Sequence, residues 1–185
     1  MKVLFLDIDG VLNDVNTTFR NYLDNKLNID EGKVGLLKEI IDATGAKIVL
    51  SSTWRAYGIM KDGVYIPKTP EMIELVDLFK SYGLEIYDIT PSFIIENKGL
   101  EIKTWLRRYD DIESFVILDD EDNTLKEFVG NELVKTQFNN SDVILEPDYG
   151  TGLCRKHVKI VIDKLNGKVK KRGEIKWKRF TYYYL

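Results

Sequence analysis

Short apolar runs alternate along the chain with stretches in which apolar residues recur every three or four positions. Lys2–Leu6 (KVLFL) is a short apolar run that ends abruptly in acids and a glycine, and it predicts a first strand. Glu31–Thr44 carries Val34, Leu37, Ile40 and Ile41 at helical spacing, with Gly45 as its stop. Residues 46–50 (AKIVL) read as the next strand, ending at Ser51 and Ser52. Pro70 opens a helix that runs to about Tyr82, Gly83 stops it, and residues 84–87 form a weaker strand. Further on, 99–108 is helical, 114–118 (SFVIL) is a strand, 131–136 an edge strand, and 151–165 a late helix. This alternation predicts the α/β class: a doubly wound, Rossmann-like parallel sheet with helices on both faces. Residues 13–30 and 56–69 show no clear period and read as irregular insertions.

With 185 residues, and with no repeat or low-complexity linker, the chain fits one domain large enough to bury a substantial core. Charge divides it further. The formal net charge is −3, but residues 168–185 hold seven basic residues against Glu174 alone, so this end is +6 and the remainder −9. The expected organisation is therefore a domain over 1–167 followed by a basic, aromatic extension over 168–185. The molecule as a whole is not built to be drawn onto polyanions. The extension, EIKWKRFTYYYL, does mix cations and aromatics in the manner of single-strand nucleic-acid surfaces. Cys154 is the only cysteine, which excludes an intrachain disulfide and fits a reducing cytoplasm. No apolar run reaches the length of a bilayer span, so no membrane association is expected.

The chemistry concentrates at predicted strand ends. In FLDIDGVLN, Asp7 and Asp9 follow the first strand, where ligands bind in open α/β sheets. Two positions apart in extended chain, they point towards one site, and Gly10 allows a sharp turn and a close approach to a ligand. Such a pair can divide labour: one carboxylate attacks phosphorus while the other protonates the leaving oxygen and then activates water. Mg²⁺ would relieve their repulsion. Ser51 ends the second strand, where a hydroxyl can donate to a phosphoryl oxygen. Lys98, before the helix GLEIKTWL, can offset phosphoryl charge. Asp119 and Asp120 end the SFVIL strand and call for a hard cation, while Asp122, with Glu121, reads as a cap of a following helix. Taken singly, the serine and the lysine are commonplace. In this order, at strand ends and a helix start, the set is not. Arg55, four positions after Ser51, is a candidate phosphate contact. His157, the sole histidine, lies in an amphipathic helix and is set aside as non-catalytic, and Cys154 is set aside as inert.

With these motifs the sequence resembles the haloacid dehalogenase-like (HAD) superfamily over about residues 1–165. The resemblance implies Asp7 as nucleophile and Asp9 as general acid/base, with the Asp9 carbonyl as a metal ligand. It matches Ser51 to the second motif, Lys98 to the third and Asp119–Asp120 to the fourth, Asp120 being the direct Mg²⁺ ligand. Ser52 and Gly10 fall within the implied phosphate-binding loops. Within the superfamily, Trp54, Arg55, Gly99, Glu101, Ile102, Trp105 and Leu106 make the chain similar to a small bacterial and phage group that includes phosphatase-like domains of RNA-repair proteins. Both usual cap positions are short, which implies an open site suited to bulky phosphorylated substrates such as nucleotide or nucleic-acid ends.

The expected function is a Mg²⁺-dependent phosphomonoesterase working through an aspartyl-phosphate. A phosphotransferase or mutase would use the same intermediate, and a narrow small-metabolite phosphatase would use the same residues. A receiver module would place its phosphorylated aspartate on a middle strand, unlike this chain. A non-catalytic phosphate- or nucleic-acid-binding module has the same fold, but nothing in the sequence removes the catalytic groups.

Overall fold

The computed structural model describes residues 1–93, 97–138 and 151–167; the extension expected over 168–185 lies outside the described residues. The chain runs β1 (Lys2–Leu6), α1 (Val15–Asp24), α2 (Glu31–Thr44), β2 (Lys47–Leu50), β3 (Gly58–Lys61), β4 (Val64–Pro67), α3 (Pro70–Ser81), β5 (Ile86–Ile89), α4 (Lys98–Leu106), β6 (Ser114–Asp119), β7 (Leu133–Lys135) and α5 (Arg155–Leu165). Five strands form one parallel sheet in the order β5-β2-β1-β6-β7.

β1 lies at the centre because both of its faces are apolar. Val3 and Phe5 point into a cluster with Ile102 and Trp105 of α4 and with Phe128. Leu4 and Leu6 point the other way, against Val34, Leu37 and Ile40 of α2, Leu75 and Phe79 of α3, and Val161 of α5. The alternation follows from the period-two geometry of a strand. The helix placement follows from handedness. From β1 the chain steps outward to β2 and then β5, and α2 and α3 pack on one face. It then returns past β1 to β6, and a right-handed crossover in that direction needs the opposite face, where α4 sits. The direction of winding therefore reverses at β1, and the crevice beyond its carboxyl end is where such sheets bind ligands.

Both stretches expected to be irregular are ordered. Residues 13–30 contain α1, whose N-cap Asp14 accepts from Thr17 N at 2.8 Å. The face of α1 turned to the body carries Thr17 and Asn21, while Phe19, Tyr22 and Leu23 are exposed. Its apolar residues thus do not mark a core face, which is why no helical period stood out. Residues 56–69 contain the β3–β4 hairpin. Its Asp62-Gly63 turn has φ of 52° and 77°, the left-handed pair that a two-residue hairpin needs. The D-G pair was the available signal. These two small additions, α1 and the hairpin, leave the described residues with little cap.

Several boundaries moved: the helix expected over 99–108 is Lys98–Leu106, and the edge strand expected over 131–136 is Leu133–Lys135. β5 begins at Ile86, because Gly83 (φ 68°) and Leu84 belong to the end of α3, Leu84 N donating to Phe79 O. α5 begins at Arg155, because Gly152 N and Leu153 N donate to Gln137 O and Val11 O and tie that stretch to the site loops. Among the described residues no helix is long and apolar enough to cross a membrane.

Trp105 is fully buried, packs edge-on against Phe5 with centroids 5.3 Å apart, and donates Nε1 to Asp88 at 2.6 Å. Replacing Trp105 by Ala is expected to lower unfolding free energy by about 3–5 kcal/mol, read as a lower denaturant midpoint.

Candidate active site

The apolar strands bring their polar ends to one level. Asp7 N donates to Leu118 O, Ser51 N to Leu6 O and Thr90 N to Leu50 O, so the strand register carries straight into the loops. Asp7 follows β1, Ser51 follows β2 and Asp119 closes β6. Lys98 enters from α4, whose N-cap Asn97 accepts from Leu100 N. Its ammonium donates to Asp7 Oδ2 at 2.9 Å and to Asp119 Oδ2 at 2.6 Å. The other Asp7 oxygen accepts from Ile8 N, and Asp119 Oδ1 accepts from Glu121 N.

Asp120 lies beneath the turn at Gly10. That glycine has φ of 70°, and a Cβ on it would overlap the Asp120 carboxylate, so both the conformation and the space require glycine. Gly10 N donates to Asn13 Oδ1, and Gly10 O accepts from Thr136 Oγ1, which fixes the turn. Asp9 is exposed. Its Oδ1 accepts from Asn13 Nδ2 at 2.8 Å and its Oδ2 from Trp54 Nε1 at 2.9 Å.

Asp7, Asp119 and Asp120 each offer a carboxylate oxygen within 4.8 Å of the others. One ammonium faces three carboxylates. Burial opposes the charge on Lys98, but Asp7 and Asp119 outweigh it and hold its pKa above the ordinary lysine value. The excess negative charge then falls on the acids. Burial and the charge of Asp7 push Asp119 up to about 7 against the pull of Lys98, and the same two causes raise Asp120. An oxygen-only donor set with surplus negative charge fits a hard divalent cation.

Ser51 is fully buried, and its Oγ has no hydrogen-bond partner among the described residues, so it is free to donate to a ligand. Ser52 instead caps the short 3-10 turn Thr53–Tyr57, accepting from Trp54 N. The guanidinium of Arg55 turns inward. It donates to the carbonyls of Ser51 and Ser52 and, at 2.7 Å, to Glu101 of α4, and among the described residues only Nε is left without a partner. A cavity of about 910 Å³ lies at this end of the sheet, walled by Asp7, Asp9, Arg55, Thr90, Lys98 and Asp120 among others.

The structure thus brings together Asp7, Asp9, Gly10, Ser51, Lys98, Asp119 and Asp120. It gives Ser52 and Arg55 bonds that hold the second loop. Asp122 pairs with Lys135 at 2.9 Å rather than capping a helix, since only a 3-10 turn (Lys126–Phe128) follows. Cys154 Sγ lies 3.4 Å from His157 Nδ1 across the first turn of α5. That ring accepts from Cys154 N, and burial and Lys156 hold its pKa down to about 4, so the contact is a neutral helix cap.

Residues 3–141 match the model of a family described as the HAD domain in Swiss Army Knife RNA repair proteins. No curated protein and no solved structure matches the chain.

The Arg55–Glu101 pair is nearly enclosed, with side chains 8% and 5% exposed. Glu101→Gln leaves a buried guanidinium without its counter-charge, for an expected loss of about 3–5 kcal/mol. Equilibrium urea unfolding of the variant measures it.

Proposed function

The chain belongs to the family of HAD domains in Swiss Army Knife RNA repair proteins, and on that basis we propose that it is a phosphomonoesterase for nucleotide or nucleic-acid ends. The observation that carries this is the Asp7 carboxylate at the winding reversal, bonded to Lys98 and Ile8 N, beside the hydroxyl of Ser51, which has no partner among the described residues.

The chemistry divides among this chain's own groups. An oxygen of Asp7 attacks phosphorus, the bond to the ester oxygen breaks, and Asp9 gives that oxygen a proton. Asp9, now a carboxylate, takes a proton from water as the water oxygen attacks the aspartyl-phosphate. The bond from phosphorus to Asp7 then breaks and releases inorganic phosphate. Lys98 and Ser51 donate to the phosphoryl oxygens as their charge redistributes. Asp7, Asp119 and Asp120 would hold Mg²⁺, which when bound would supply positive charge to the phosphoryl group. The open cavity and the short additions over it suit a phosphate at the end of a large substrate.

Two outcomes are expected. Phosphate release from p-nitrophenyl phosphate and from a 3′- or 5′-phosphorylated oligonucleotide should require Mg²⁺ and disappear in a folded Asp7→Asn protein. Full activity in that variant would overturn the mechanism. Metal binding should also depend on pH. Asp119 binds a proton below about 7 in the metal-free protein, and that proton must leave for the carboxylate to ligate. Apparent Mg²⁺ affinity should therefore weaken as pH falls below about 7 and level off above it. Titration calorimetry in two buffers of different ionisation enthalpy would read the released protons.

A further inference from the structure

We propose that Trp54 is a positioning residue for proton transfer, holding the Asp9 carboxylate in its working orientation through the indole N–H. The inference rests on the phosphatase reading above, in which Asp9 is the general acid/base.

Asp9 is the one acid of the site that stands exposed, so neither packing nor Lys98 fixes its plane. Two donors do. Asn13, itself fully buried, gives Nδ2 to Oδ1 at 2.8 Å, and Trp54 gives Nε1 to Oδ2 at 2.9 Å. A carboxylate offers about four acceptor directions. The clamp uses one on each oxygen and leaves another on each for the proton that is exchanged with substrate or water. An indole N–H suits this task because it can only donate, so it never competes for that proton.

Asn13 comes from the same loop as Asp9, but Trp54 comes from the loop after β2, and that loop is held firmly. Its backbone carbonyls accept from the Arg55 guanidinium and from the Tyr65 hydroxyl, and Arg55 is anchored on Glu101 of α4. The indole is therefore fixed from outside the Asp9 loop. From its place just after Ser51 and Ser52, the tryptophan reaches back across the site to the acid.

Proton donation matters most when the leaving oxygen is a poor leaving group. An aryl ester such as p-nitrophenyl phosphate needs little help, whereas an alkyl ester at an oligonucleotide end needs a correctly placed acid. Trp54→Phe keeps an aromatic ring and removes the donor. Its kcat/KM, which reports phosphoryl transfer to Asp7 and not the later hydrolysis common to both substrates, should fall about tenfold further on the phosphorylated oligonucleotide than on p-nitrophenyl phosphate, a fraction of what a general acid contributes. Equal losses on the two substrates would overturn the proposal and leave Trp54 as a wall of the site. Asp9→Asn, assayed on the same pair, separates the two levels. A leaving-group-dependent loss there but not in Trp54→Phe sinks only the role of Trp54, while its absence in Asp9→Asn removes the acid role itself and this inference with it. Should Trp54→Phe fail to fold, the Nε1–H resonance of Trp54 in ¹⁵N-labelled protein gives an independent reading. It should move on Asp9→Asn substitution, and an unmoved resonance overturns the contact.

Discussion

Surplus negative charge at the end of a buried strand pair is the constraint around which this molecule is arranged. β1 and β6 are neighbours, both run through the core, and both end in carboxylates that cannot move away from one another without breaking the sheet register. A single ammonium, Lys98, bridges Asp7 and Asp119. Burial, together with the charge of Asp7, displaces Asp119 and Asp120 upward in spite of that ammonium. Three carboxylate oxygens gathered in this way could hold a hard cation.

Keeping those charges in place requires support at some distance. The turn Thr53–Tyr57 links the parts. Its Arg55 reaches α4, the helix that presents Lys98, and its Trp54 reaches Asp9. Tyr65 of the hairpin holds the same turn from the other side. The hairpin is therefore a brace as well as a small addition over the site. The buried Arg55–Glu101 pair is best understood as fixing geometry, because a buried ion pair gives little net stability while its disruption is costly.

Much of the fold was legible because its strands are apolar runs and its main helices have apolar faces turned to the core. Lys2–Leu6, Glu31–Thr44 and the SFVIL segment were recognisable on that ground. α1 was not, since the face it turns to the body is polar and its apolar residues point outward. The hairpin was missed although Asp62-Gly63 announced it, because its strands are only four residues long.

The sequence by itself determined which groups could do chemistry. Asp7, Asp9, Ser51, Lys98, Asp119 and Asp120 sit where apolar strands stop or a helix starts, and that adjacency is a local property of the chain. Only the tertiary structure decided which partners surround those groups. Whether Arg55 faces a ligand or a buried Glu101, and whether Trp54 is core or a donor to Asp9, depends on contacts between residues 46 and 45 positions apart. No local pattern encodes such a contact. It is set when strands wound in opposite directions from β1 bring their loops to one edge of the sheet.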